Sequence, residues 1–215
     1  MSTPPASGRR VVLELVEVPR EPPSLGVEER AEYLPWLRGP QRQLEFVIDG
    51  VPLRQRLLAV PAPGTETSWL GEPFEETSVA DLSWPAQAAA DLRRLAGTQA
   101  RDDGAWPLAP GRLPLYVCPM CADLGCGAVT VHVDHTQPGQ VTWSGLTYES
   151  GLSIEHDLDL SAAGTFTFDA HAYRQVLLEP VGVLEALAAD ERAAKARHRR
   201  ELPRRWLDRL RPRSR

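Results

Sequence analysis

The sequence predicts an α+β fold: a mixed or antiparallel sheet with flanking helices and a basic C-terminal helix. Three observations predict it. Apolar residues alternate over 9–18, 43–48, 126–133 and 140–148, as strands with one buried face require. Asp49-Gly50 is a strong hairpin signal between two apolar runs. Segments near 84–96, 170–178 and 181–200 carry helical patterning between recognisable start and stop residues. At 215 residues and 42% hydrophobic content, the chain can bury a core without staples. The expected organisation is a disordered stretch over 1–8, an α+β domain over 9–180 and a helical, basic extension over 181–215.

The elements follow in order. In RRVVLELVEV, Val12, Glu14, Val16 and Val18 alternate with Val11, Leu13, Leu15 and Glu17, which reads as a strand. Residues 19–41 are a Pro- and Glu-rich connection. Residues 43–48 form a second strand, and about 51–59 either return as a hairpin or turn into a short helix. Residues 61–76 read as a loop containing Trp69. Ser83 is the N-cap candidate for a helix near 83–96, with Pro85 in its first turn and Gly97 at its stop. After a polar loop, 113–118 is a short strand. Residues 126–133 and 140–148 form the clearest hairpin, with Pro138-Gly139 in its turn. Strand-like pieces LDL and TFTF lie within 152–168. Asp169 caps a helix over 170–178, which Pro180 ends. A helix over 181–200 follows, and Pro203 separates it from a last basic turn or two.

The net charge of −5 conceals an asymmetry. Residues 191–215 carry ten Arg and Lys195 against three acids, a net +8, whereas residues 1–190 carry 13 basic and 26 acidic residues, a net −13. An acidic body therefore bears a basic tail. Either the tail is a helix folded back on that body, or Arg199, Arg200, Arg204 and Arg205 contact nucleic acid, an acidic lipid surface or an acidic partner. The start of the chain has no apolar signal core and no run approaches the ~18 apolar residues of a membrane span, so a cytoplasmic protein is expected.

All three cysteines lie in the spacing Cys118-x2-Cys121-x4-Cys126. Three readings are open. A Cys-Pro-x-Cys knuckle leaving a strand is half of a zinc site, since two thiolates on a tight turn reach one ion at about 2.3 Å. Cys126 is then a third ligand. His132 lies too far along the strand, about 20 Å from Cys126. Pairing Val133 with Val141 sets Val131 opposite Trp143 and Cys126 opposite Tyr148, which makes His156 the fourth-ligand candidate, with Asp123 and His171 behind it. That register also puts Val129, Val131, Val133, Val141 and Trp143 on a buried face, and Thr130, His132, Thr142 and Ser144 on the other. The second reading is a redox dithiol, Cys118-Pro-Met-Cys121. Such sites stand at a helix N-terminus, whereas Gly125, Gly127 and a strand follow here. The third is a structural turn over Asp123, Gly125 and Gly127 with small, buried, reduced thiols.

No GxSxG, HExxH or phosphate-binding lysine loop is present. Two segments do carry a resemblance. Val47, Asp49, Gly50, Pro52 and Leu53, then Cys121, Asp123, Gly125, Cys126, Gly127 and Trp143, resemble a family of small actinobacterial proteins. That family shares a V-x-V-D-G-x-P-L segment, a C-x-D-x-G-C-G turn and a V-x-W hairpin. The resemblance implies no particular activity. The expected function is a non-catalytic binding protein with a cysteine-lined turn, no cofactor or one zinc ion, and a protein partner. The alternatives are nucleic acid as partner, through the tail, or a thiol–disulfide oxidoreductase using Cys118 and Cys121.

Overall fold

The structure, a computed structural model, describes residues 9–20, 42–61, 77–100, 108–118, 123–149 and 158–210, the side chains of 198–210 excepted. It is an α+β fold. Strand β1 (Leu13–Pro19) runs antiparallel to β2 (Arg42–Ile48), which returns into β3 (Val51–Pro52). Asp49 and Gly50 both have positive φ, 51° and 75°, as a two-residue hairpin turn requires. Asp49 also ends β1: its Oδ1 accepts from Val12 N at 2.9 Å and its own N–H donates to Val12 O at 2.9 Å. Both outcomes expected for 51–59 occur, a short return and then helix α1 (Leu53–Leu58).

The second sheet orders β4 (Thr77–Ser78), β5 (Arg112–Val117), β6 (Ala128–Asp134), β7 (Gln140–Glu149) and β8 (Leu158–Asp159), with β9 (Phe166–Asp169) also on β7. Every strand pair within the two sheets is antiparallel. The sheets join at two seams. Leu44 N donates to Ala80 O and Leu82 N to Arg42 O, which links β2 to the chain leaving β4. Val11 N donates to Thr167 O at 2.9 Å, which links the start of β1 to β9. The strands thus close into a ring around Phe46, Tyr116, Trp143 and Phe168, all buried. Trp143 meets Phe46 edge-on at 5.7 Å and Phe168 at 5.2 Å.

Helix α2 (Pro85–Leu95) buries Ala88, Ala89, Leu92 and Leu95. Its N-cap is Trp84, without a side-chain bond, and not Ser83. Asp81 takes the local role by accepting from Ser83 N at 2.7 Å. Helix α3 (Ala170–Leu178) starts as the sequence predicts, with Asp169 Oδ1 accepting from His171 N and Ala172 N, each at 3.0 Å. Helix α4 (Val181–Leu210) is continuous for 30 residues, so Pro203 does not break it. One proline removes one donor, and the Arg- and Leu-rich flanks favour helix strongly enough to carry the backbone through. Its first turns belong to the body, since Val181, Leu184 and Ala188 are buried. Residues 189–197 are all exposed, so this stretch stands off the acidic body and is not folded back on it. Among the described residues no helix is long and apolar enough to cross a membrane.

Two sequence-based expectations fail in the sheet. The β6–β7 register pairs Val133 with Trp143 and Val129 with Tyr148, because the strand runs on to Asp134 and a bulge intervenes between Thr130 and His132. Thr130 is buried, covered by Arg112, whose Nε donates to its hydroxyl at 2.8 Å. Strand β4 went unread, being two residues long.

Asp91 on α2 is almost fully buried, bonded to Gln87 Nε2 at 2.9 Å and Arg94 Nη1 at 2.6 Å. Burial outweighs those contacts and pushes its carboxyl up to about 6, from an ordinary 3.8. Between those values the unfolded chain has lost the proton and the folded chain keeps it, so this group's contribution falls as pH rises and levels above about 6. The urea unfolding free energy of wild type, relative to Asp91→Asn, is expected to drop by about 2–3 kcal/mol from pH 4 to 6.5.

Candidate functional site

The cysteine turn leaves the sheet where Val117 pairs with Ala128, which sets Cys118 and Cys126 at one end of the β5–β6 pair. Asp123 Oδ1 accepts from Gly125 N at 2.7 Å, and Leu124–Cys126 form one turn of 3-10 helix. Cys126 N donates to Asp123 O at 3.2 Å and Gly127 N to Leu124 O at 3.1 Å. Gly127 has φ 115° and lies against the Tyr148 ring: a Cβ there would sit 2.1 Å from the Tyr148 hydroxyl. That hydroxyl donates to the Cys126 carbonyl at 3.4 Å. Tyr148 therefore reaches the turn although it pairs with Val129, and not with Cys126.

The thiols are not uniformly buried. Cys118 is half-buried and Cys126 is exposed, because a 3-10 turn directs residue 126 outward where a continued strand would have tucked it in. The expectation of buried thiols therefore fails at Cys126. Cys121 and His156 lie outside the described residues. His132 is exposed on β6 and His171 is exposed in the first turn of α3. Among the described residues no three His, Cys, Asp or Glu side chains group as metal ligands. Arg199, Arg200, Arg204 and Arg205 lie on the helical backbone of α4.

Beside the turn lies a buried polar seam that the sequence did not signal. Arg20 Nη1 and Asp81 Oδ2 are 2.8 Å apart, both side chains 2% exposed. The Thr77 hydroxyl is 2.8 Å from Asp81 Oδ2 and from Gln43 Oε1, and Ser78 N donates to that same Gln43 oxygen at 2.8 Å. Burial pulls the Arg20 guanidinium below its ordinary value, while the nearby Asp81 and Cys118 act in the opposite direction. A second seam buries Glu45 between Arg54 Nε, at 2.7 Å, and the Tyr116 hydroxyl, which donates to it. A third joins Arg112 Nε to Glu149 at 3.0 Å. Each charge has its counter-charge at hand, the condition under which buried ions are tolerated.

Among the described residues, two cavities lie away from the turn. A groove of about 560 Å³ runs beside β1, walled by Val16, Leu44, Val176 and Val183 and rimmed by Glu14 and Glu179. A cavity of about 330 Å³ lies between the β6–β7 turn and α3, lined in part by His135, His171 and Arg174. Neither is lined by a cysteine. His135 and Arg174 are 39 positions apart in the sequence, so no local spacing could have joined them. No family model, curated protein or solved structure matches the chain.

Gly127→Ala is expected to destabilise the fold by about 2–4 kcal/mol, from the positive φ and the overlap with Tyr148. Asp123→Ala, on an exposed turn, is expected to cost about 1 kcal/mol. Urea titration of both variants checks the order.

Proposed function

We propose that the chain is a cytoplasmic, non-catalytic binding protein that takes a protein partner, with the cysteine turn as a displayed corner. The observation that carries this reading is the setting of the thiols. Cys118 follows a strand, Cys126 closes a 3-10 turn, and neither of the two cavities described above is lined by them. A dithiol enzyme needs a thiolate stabilised at a helix N-terminus or beside a cation, opening on a cleft that admits its substrate. The buried Arg20 guanidinium near Cys118 already faces Asp81. If the corner takes a metal, it is one zinc ion on Cys118, Cys121, Cys126 and His156, with Cys126 the more exposed of the two described cysteines.

The groove beside β1 suits a basic, apolar segment of the partner. Val16 and Val183 are 43% and 63% exposed, and the rim is acidic. The C-terminal part of α4, where the sequence over 191–210 is basic, is the segment through which nucleic acid would bind.

Disulfide reductase turnover separates binding protein from oxidoreductase. The reduced native chain is expected to reduce a model protein disulfide no faster than an equal concentration of small thiol. Catalytic turnover that vanishes in Cys121→Ser would overturn the binding reading.

A further inference from the structure

The basic end of α4 and the groove at its base are complementary, yet one chain cannot bring them together. Val183 lines the groove and stands near the start of α4. Val181, Leu184 and Ala188 fix that end of the helix to the body, while residues 189–197 are all exposed. The helix is continuous to Leu210. At a rise of about 1.5 Å per residue, its basic part starts roughly 12 Å beyond Val183 and ends roughly 40 Å from it. A continuous helix does not fold back on the groove it leaves.

The groove offers apolar walls under an acidic rim. Leu187, one turn beyond Val183, extends the exposed apolar surface along α4. Among the described residues the rim carboxylates Glu14 and Glu179 make no ion pair. Glu17 on the same strand and Glu185 on α4 are already paired, with Arg42 and Arg93. The sequence over 200–210 has the matching character. Leu202, Trp206 and Leu210 recur at every fourth position among Arg200, Arg204, Arg205 and Arg209, with Glu201 and Asp208 as the acids of the stretch. That is the pattern of an amphipathic basic helix. A groove of about 560 Å³ admits an indole and a neighbouring aliphatic side chain, the kind of anchor that dominates protein interfaces. Nucleic acid and anionic lipid would also attract the segment, but residues 1–190 carry a net −13 and repel such polyanions. The acidic body of a second copy attracts it.

We propose that the chain forms a closed dimer in which the 200–210 segment of each copy docks on the β1 groove of the other. This rests on the reading of the groove as a protein-docking surface, and it identifies the protein as a second copy. Reciprocal exchange makes the same contact twice about a twofold axis, which closes the pair and leaves no groove for a third copy.

The test is sedimentation equilibrium of the full-length chain at micromolar concentrations and low salt. The expected mass is twice the 23.7 kDa of one chain, and added salt is expected to favour the monomer. Glu14→Arg with Glu179→Arg, both at exposed positions, reverses the rim. Arg204→Glu with Arg205→Glu reverses the segment. Each double variant is expected to weaken the dimer about tenfold or more, with unchanged circular dichroism. An equimolar mixture of the two is expected to restore a dimer, because in the mixed pair each groove meets a segment of opposite charge. A monomer under all these conditions, a mass that climbs without limit, a dimer indifferent to both reversals, or a mixture that stays monomeric overturns the exchange. A monomer leaves the groove open to a different protein, so the binding reading then stands or falls on the reductase assay alone.

Discussion

The indole N–H of Trp143 donates to the Tyr173 hydroxyl at 2.9 Å, and that hydroxyl donates to the Leu95 carbonyl at 2.9 Å. All three groups are buried. This short chain of bonds joins the middle of the central strand β7 to α3 and to the last turn of α2. Around it, Phe46 brings β2 and Phe168 brings β9 into edge or stacked contact. A buried indole or phenol left without a partner costs more than the bond itself supplies, so the chain acts as a register mark. It ties two helices to β7, with β2 and β9 packed against the same rings.

The remaining polar groups follow from closure of the ring. Where β2 meets β4, the strand face that the alternation marks as polar has no access to water, and Gln43 and Glu45 are buried. Their partners come from other elements: Thr77 and Ser78 for Gln43, Arg54 and Tyr116 for Glu45. These seams are structural, and they remove most of the buried charge from the list of groups that could do chemistry. Outside these seams lie the groove beside β1 and the two ends of the β6–β7 hairpin. One end carries the cysteine corner and the other carries the cationic cavity, and the Trp143 chain fixes the strands between them.

Much of this was legible in the residues. The alternation of β1 and β2, the Asp49-Gly50 turn, the β6–β7 hairpin and the Asp169 cap all act over a few positions, where local rules hold. The failures have physical reasons. A two-residue strand such as β4 has no period to detect. The bulge near Thr130 shifts the register by an amount that only the neighbouring strand decides. The seams at Thr167 and Ala80 are single bridges between distant segments. The outward turn of Cys126 depends on Asp123 capping Gly125, which makes a 3-10 turn where the glycines suggested a plain corner. The cationic cavity sets residues of the β6–β7 turn beside α3, distant segments that only the closed ring brings together.

Tyr173→Phe tests the central constraint most directly, because it deletes one oxygen and keeps the ring. With the chain of bonds as described, the urea unfolding free energy falls by about 1–3 kcal/mol, and the Trp143 indole proton exchanges faster than in wild type. Unchanged stability together with unchanged indole exchange would show that Trp143, Tyr173 and Leu95 do not set the arrangement of sheet and helices.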